Sequence, residues 1–344
     1  MKSILLASAS LVGFAGAAAA EVTFGGSATL GYNDNVKNGF YWEGDLAVTM
    51  TRALDNGLTA AASFGLNITD DNLGNDPVTV DGNWVISLTS ETAGLTFGDT
   101  DQAAEKLYSG IDGMDYDGFD EDGIGEAILR GDIKVGGFDL ALSYNVDPAA
   151  DGDSLTGMQV GAAGAFGNFN MTFGYQDDSF TGYTIIAITG TTTFSGASVG
   201  VGFAQASDTG QSIGLSVKYP FGPVTLGAFI GMNTPNVGDA YNNYGVSADY
   251  VSGPLTVNAD YTVNGDDDGV FGIEGAYVAS SVLTVKFGIL DSGDVFYVAG
   301  EMTLGGDATF TVVYADDGDD TFADDEIGDP EYYDGITAEL GLKF

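Results

Sequence analysis

Apolar and polar residues alternate over long segments of the chain, and this pattern limits the possible folds more than any other feature. In residues 58–69, Leu, Ala, Phe and Ile take the even positions, whereas Thr, Ser and Asn recur at the odd positions. Residues 22–33 and 138–146 repeat the pattern. Successive side chains of a strand point to opposite faces, so a period of two predicts strands with one apolar and one polar face. The chain is therefore predicted to be all-β.

Charged residues within these segments fall almost entirely on the polar face. They include Asp45, Asp139, Asp249, Asp260, Glu274, Lys218 and Lys286. A soluble β-sandwich would show the same pattern, because its polar faces would meet water. However, the polar face is rich in Thr, Ser, Gly and Asn along the whole length, which suits a water-filled interior better than a packed core.

The connections between segments alternate between short turns and longer acidic loops. Short turns occur at nine places, which are Asp55–Gly57, Ala93–Gly94, Gly136–Gly137, Gly167–Asn168, Ser195–Gly196, Phe221–Pro223, Ser252–Pro254, Ser280–Ser281 and Gly305–Gly306. The longer loops include Asp70–Asp81, Asp147–Ser154, Asn264–Gly269 and Ala315–Tyr332. Short turns at one rim and long loops at the other are typical of outer-membrane barrels. Nine short turns indicate about twenty strands, so we predict a transmembrane antiparallel β-barrel with an even number of strands between sixteen and twenty.

Aromatic residues gather at both ends of the alternating segments. Phe166, Phe194 and Phe221 stand beside short turns, and tyrosines such as Tyr32 and Tyr261 stand near long loops. Two aromatic rings are expected where a barrel crosses the two interfaces of a membrane.

The absence of cysteine and histidine from the 344 residues excludes several kinds of chemistry. Disulfide frameworks, thiolate metal sites and cysteine nucleophiles need cysteine, and histidine is the commonest general base. A formal net charge of −41 opposes binding to nucleic-acid phosphates. The composition therefore favours neither an enzyme nor a nucleic-acid-binding protein.

The N-terminal residues have the features of a secretory signal peptide. Lys2 supplies the positive charge, residues 4–15 form an apolar run, and residues 18–20 are a small-residue cleavage site before Glu21. We therefore expect residues 1–20 to be removed on export, and residues 21–344 to form a single barrel domain.

The segment from Asp99 to Ile128 is far longer than the usual connection of about 4–6 residues. Residues 102–108 predict a short helix that ends before Gly110, and an acidic run follows. We expect this loop to fold into the barrel and to constrict the channel. The carboxylates expected there are Glu105, Asp112, Asp115, Asp117, Asp120, Glu121 and Asp122.

Basic residues are expected on the wall of the channel. Arg130 and Lys134 alternate with the apolar Leu129, Ile133 and Val135, so they should point inward together with Lys218 and Lys286. An acidic loop opposite a basic wall would create a transverse field that favours polar solutes. Because carboxylates outnumber the inward bases, we predict a preference for cations. Two alternatives stay open, since the loop carboxylates could be a solvated face and the bases could form ion pairs between strands.

Three segments resemble general porins of Gram-negative bacteria, in particular the alphaproteobacterial type. They are the opening Glu21–Gly26, the stretch Gly94–Asp99 before the long loop, and the end Leu340–Phe344. The resemblance implies an outer-membrane channel for passive diffusion of small hydrophilic solutes and ions, surrounded by outer-membrane lipid. It also implies a homotrimer, an inward loop after the fifth strand, and recognition of the terminal Phe344 by the barrel-assembly machinery. The sixteen strands of the family are fewer than the roughly twenty that the turns of this chain predict.

Other interpretations follow from the acidic composition. Asp112, Asp115 and Asp117 leave a calcium site open, although their spacing does not match the EF-hand loop. A substrate-specific outer-membrane channel and a calcium-binding secreted or adhesive β-protein are the alternative functions. A calcium-dependent solenoid should contain glycine- and aspartate-rich nonapeptide repeats, and the sequence has none. A Ser–His hydrolase barrel would need histidine, so we expect no enzymatic activity and no cofactor other than calcium.

Overall fold

A computed structural model describes residues 9–10, 20–36, 38–69, 79–80, 83–119, 127–146, 155–178, 182–318, 327–328 and 331–344. One antiparallel sheet contains all 22 strands of these residues. Two of the strands, Ala9–Ser10 and Thr79–Val80, are only two residues long and pair at the edges of longer neighbours. Within the described part of the chain, no helix is long and apolar enough to cross a membrane.

The other twenty strands of the described residues close into a barrel. They are β1 Glu21–Asn33, β2 Phe40–Ala53, β3 Thr59–Thr69, β4 Val85–Thr89, β5 Ala93–Gly98, β6 Ile128–Val135, β7 Phe138–Val146, β8 Leu155–Phe166, β9 Phe169–Asp178, β10 Tyr183–Phe194, β11 Ala197–Ala206, β12 Gly210–Phe221, β13 Val224–Pro235, β14 Tyr241–Ser252, β15 Leu255–Val263, β16 Val270–Val278, β17 Leu283–Leu290, β18 Val295–Gly305, β19 Ala308–Asp316 and β20 Gly335–Lys343. Each strand pairs with the next along the chain, and β20 pairs with β1 to close the sheet. The predicted all-β barrel with an even strand number is confirmed.

The predicted alternation of faces matches the exposure of the side chains. On β12, Ile213, Leu215 and Val217 are exposed on the outer face, whereas Ser212 and Gly214 on the inner face are buried beneath a loop. The residue pairs between adjacent strands show which side chains of each neighbouring strand lie on the same inner face. It includes the strand charges that the sequence placed on the polar face, such as Asp249, Asp260 and Lys286. Arg52 is on the outer face near a short turn, because it pairs with the outward Ala60.

The two rims differ as the turn pattern predicts. Eight of the nine short turns lie where the sequence placed them, and the one between β4 and β5 is formed by residues 90–92. Ala93 and Gly94 belong to β5, because the Ser90 side chain accepts the backbone N–H groups that close the turn. Gly136 and Gly137 both have positive φ angles, +60° and +88°, as two-residue hairpin turns require. Phe166, Phe194 and Phe221 point outward at this rim and are more than 70% exposed.

Candidate functional site

The long connection after β5 lies inside the barrel. It contains one short helix, α1, at Ala103–Leu107, where the sequence predicts one. Its residues up to 119 contact the inner faces of strands from β7 to β14. The predicted inward course of this loop, after the fifth strand, is therefore confirmed for the described residues.

The beginning of the loop is fixed by side chains on the wall. The backbone N–H of Ala103 donates to Ser143 Oγ at 2.9 Å, and that of Ala104 donates to Gln159 Oε1 at 3.1 Å. Glu105 accepts the backbone N–H of Gln102 at 3.0 Å. These contacts satisfy donors at the N-terminus of α1 that no intrahelical carbonyl can reach. Glu105, predicted as a pore carboxylate, therefore acts as a helix cap.

A group of three charged residues, which we call the root cluster, holds the loop where it leaves the wall. Lys106 Nζ lies 2.8 Å from Asp132 Oδ1, and Arg130 Nε lies 3.2 Å from Asp132 Oδ2. The Arg130 guanidinium also donates to Thr100 Oγ1 and to the Asp101 carbonyl. Arg130 points inward as predicted, but it is buried under the loop and does not line open water.

The middle of the loop packs on a part of the wall that consists largely of glycine and alanine. Ile111 and Met114 are buried against Ala187 and Ala204. A Cβ atom at Gly214 would lie 2.5 Å from Met114 Sδ, closer than real Cβ contacts. Similar clashes with loop atoms would arise at other inward glycines, which are Gly161, Gly174, Gly200, Gly202 and Gly231. The glycines therefore form a shallow trough in which the loop lies.

The tip of the loop is held by four polar side chains of the wall, which we call the amide cradle and which are Ser212, Asn233, Tyr241 and Asn243. The Asp115 carboxylate accepts from Asn243 Nδ2 at 2.8 Å, from Tyr241 Oη at 2.7 Å and from Asn233 Nδ2 at 3.1 Å. Asn233 and Asn243 also donate to the Gly113 carbonyl. The backbone N–H of Asp115 donates to Ser212 Oγ at 3.1 Å. Neutral donors therefore hold this carboxylate, since none of the ion pairs between described residues includes it.

Asp117 is held within the loop. Its carboxylate accepts the Tyr108 hydroxyl at 3.0 Å, and the Tyr108 ring packs edge-on against Phe119 with centroids 5.2 Å apart. Burial raises the pKa of Asp117, and the hydrogen bond from Tyr108 opposes that rise. Burial also raises the pKa of Tyr108, so its hydroxyl remains a donor at neutral pH.

The three carboxylates that the sequence offered as a possible calcium site have different surroundings in the structure. Asp112 is exposed, Asp115 binds the amide cradle, and Asp117 binds Tyr108. Among the residues that the structure describes, no three acidic residues are grouped so that they could hold a metal ion. Calcium binding there stays a prediction. The other predicted loop carboxylates, Asp120, Glu121 and Asp122, lie outside the described residues.

The described charges do not divide into an acidic loop and a basic wall. Lys134 lies 3.2 Å from Asp139, and Lys286 lies 3.0 Å from Glu301, so both predicted wall bases pair with carboxylates of adjacent strands. Lys218 is on the inner face near the short-turn rim. Lys134 and Lys286 therefore form ion pairs between neighbouring strands, which is one of the alternatives that the sequence left open. Arg130 instead pairs with a carboxylate of its own strand.

The inner wall that the loop leaves uncovered carries carboxylates held by neutral donors. Asn258 donates to Asp249 at 2.7 Å, Tyr297 to Glu274 at 2.8 Å and Tyr41 to Glu339 at 2.7 Å. Asp45 accepts from Ser27, and Asp260 lies beside Glu274. None of the four ion pairs within the described residues involves these five carboxylates.

Sequence reasoning missed the side chains that position the loop. Ser143, Gln159, Ser212, Asn233 and Asn243 are at most 4% exposed, and each bonds to the loop. Their signal was present, because they are uncharged polar residues on the inward parity of neighbouring strands. It was hidden among the many other Thr, Ser and Asn residues of that face.

Comparison with known proteins gives one family and one fold. A family model described as Gram-negative porin matches residues 7–326. A solved mutant of the Rhodopseudomonas blastica porin aligns with a TM-score of 0.51 and 17% identity, covering 75% of this chain and 99% of that chain. A second mutant gives 0.50 and 17%, covering 75% and 98%. Identity this low shows the shared fold alone. No curated protein sequence matches.

Proposed function

Because the chain belongs to the Gram-negative porin family and is an outer-membrane channel, we propose that it passes small hydrophilic solutes and ions by passive diffusion and prefers cations. The observation that supports the preference is a set of carboxylates on the uncovered wall that form no ion pair with any described residue, namely Asp45, Asp249, Asp260, Glu274 and Glu339. Rings of Asp and Glu favour cations in channels, because their field raises the local cation concentration.

The test is the zero-current potential across a planar bilayer that separates two KCl concentrations. A cation-preferring pore makes the dilute side positive. The Asp260→Asn/Glu274→Gln variant should lower the permeability ratio of potassium to chloride by roughly a factor of two or more, because two pore charges are lost. The matched control, Asp55→Asn/Asp307→Asn, removes the same charge from two short turns and should keep the wild-type ratio.

Two results would contradict the proposal. One is a dilute side that becomes negative with the wild-type protein. The other is an equal change in both double variants, since selectivity would then reflect the net charge of the whole molecule. The potential should also weaken in concentrated salt, because the screening length falls from about 10 Å at 0.1 M to about 3 Å at 1 M.

Processing and assembly are further parts of the proposal. We propose that residues 1–20 are removed, that three copies associate, and that the assembly machinery reads the C-terminal strand. Phe344 is 64% exposed, and its backbone pairs with Gly26 of β1, so the last residue is at the seam of the barrel. Mass spectrometry of the protein from outer membranes should give a chain that begins at Glu21. Unheated gel electrophoresis should show a trimer, and a monomeric band alone would contradict that part.

A further inference from the structure

A second connection also enters the barrel. Residues Ile327, Gly328 and 331–334 belong to the link between β19 and β20, at the rim of long loops. Ile327 and Tyr332 exchange two backbone hydrogen bonds, of 3.1 Å and 3.0 Å, and so form a small bridge. We call these described residues the second insertion.

The second insertion packs on the inner face of β18 and β19. Ile327 is 2% exposed and Tyr332 is 7% exposed. Both belong to one apolar cluster with inward residues of the wall, which are Tyr297, Ala299, Val313 and Ala315. The rings of Tyr297 and Tyr332 lie 5.1 Å apart. Burial this complete, on the side of the wall that bears Glu301 and Glu339, places the second insertion inside the barrel.

Polar contacts fix the end of the second insertion as well. The Asn33 side chain, which is fully buried, donates to the Asp334 carbonyl at 2.8 Å and to Thr337 Oγ1 at 2.9 Å. Asn35 donates to the Asp334 carboxylate at 2.6 Å. The Tyr333 ring lies 5.5 Å from the ring of Tyr41, whose hydroxyl donates to the inward Glu339. These contacts tie the segment to β1, β2 and β20 across the seam of the barrel.

The depth of the second insertion overlaps that of the long loop. Its wall contacts lie five to eight residues above the short-turn ends of β18 and β19. The contacts of the long loop lie three to eleven residues above the corresponding ends of its strands. The long loop covers β7 to β14, so β18 and β19 are on the opposite side of a closed barrel of twenty described strands.

We propose that the second insertion is a specificity-determining element that bounds the narrow part of the channel opposite the long loop. Solutes then pass between the two, beside Asp260 and Glu274 on β15 and β16. Tyr297 links the two features, because its ring packs on Tyr332 while its hydroxyl donates to Glu274 at 2.8 Å. The second insertion thus sets the width of the passage and supports a carboxylate on its edge.

The first test uses the absence of cysteine from the chain. Single variants Ile327→Cys and Val237→Cys are refolded and treated with a charged thiol reagent that does not cross membranes. Val237 is 91% exposed in the β13–β14 connection, so it reports a free position at the same rim. Ile327→Cys should react at least tenfold more slowly, and both should react alike in denaturant. Equal rates in the folded proteins, each verified as a barrel by heat-modifiable gel migration, would overturn the proposal.

The second test measures whether the segment borders the passage. Tyr333 is partly exposed beside Tyr41, so a bulky neutral thiol reagent on Tyr333→Cys should lower the single-channel conductance by a measurable fraction. The same label on Val237→Cys should leave the conductance unchanged. A labelled Tyr333→Cys channel with the conductance of the unlabelled one would overturn the proposal. Both readouts are independent of ion preference, so this inference and the proposed cation selectivity fail separately.

Discussion

At the residue scale, Asp115 shows how a carboxylate in the passage can serve position as well as charge. Three neutral side chains donate to it, and charge-assisted hydrogen bonds of this kind are roughly twice as strong as neutral ones. Asn243 is the central donor, since it also bonds the Gly113 carbonyl and accepts the N–H of Gly265. Removing this amide should loosen the loop tip without altering the number of charges.

The Asn243→Leu variant should therefore produce a noisier channel. We expect a roughly tenfold or greater rise in the time spent in reduced-conductance states, because a loosened loop tip samples positions away from the wall. The measurement is single-channel recording at fixed voltage. The control is Asp112→Asn, which removes an exposed loop charge outside the amide cradle and should leave the time in reduced-conductance states unchanged.

A reversible rescue separates the loss of this contact from general damage. A Cβ atom at Gly113 would lie 3.1 Å from Asn243 Cβ, so a disulfide with a Cβ separation of roughly 3.5–4.5 Å requires a small shift of the loop backbone, and the φ of +82° at Gly113 adds strain to it. The Gly113→Cys/Asn243→Cys pair should be quiet when oxidised and noisy after reduction. Noise that is insensitive to reduction would contradict the role of the cradle.

At the element scale, the strands and turns could be predicted from the sequence because they depend on local properties of each residue. Lipid outside and water inside fix the parity of every strand, and turns such as Gly136–Gly137 need backbone angles that glycine adopts freely. The partners of the loop could not be predicted in this way. Asp115 and Asn243 are separated by 128 residues, and only the closed barrel brings them together. The contact of Lys106 with Asp132 could not be predicted for the same reason, because these two residues meet only when the loop folds back onto the wall.

Deletion of residues 112–123 tests the loop as an element. The deletion removes the tip that packs in the glycine trough and binds the amide cradle, so the single-channel conductance should rise by roughly half or more in a barrel of this width. Deletion of residues 147–154, from the connection between β7 and β8, is the control and should change the conductance little. An unchanged conductance in the first variant would mean that the loop does not limit the current.

At the scale of the whole molecule, strand number and inserted segments together set the width of the passage. Strands about 4.8 Å apart and tilted by about 40° give a twenty-stranded barrel a backbone diameter of about 40 Å, against about 32 Å for sixteen strands. One loop that covers β7 to β14 leaves much of so wide a bore open. The second insertion on β18 and β19 fills part of the extra cross-section of this wider barrel.

Combining two variants distinguishes one shared narrow section from two separate ones. Ile327→Asn should release the second insertion, because its buried amide would lack partners, and Val237→Asn is the matched exposed control. The double variant combines Ile327→Asn with the 112–123 deletion. If the two elements border one shared aperture, each change enlarges the same open area. The double variant should then gain no more conductance than the sum of the two single gains. If they narrowed the bore at different depths, they would act as resistances in series, and the double variant would gain more than that sum. Single-channel conductance of the four proteins in one salt solution decides between these outcomes, and the overlapping depths of the wall contacts predict the first.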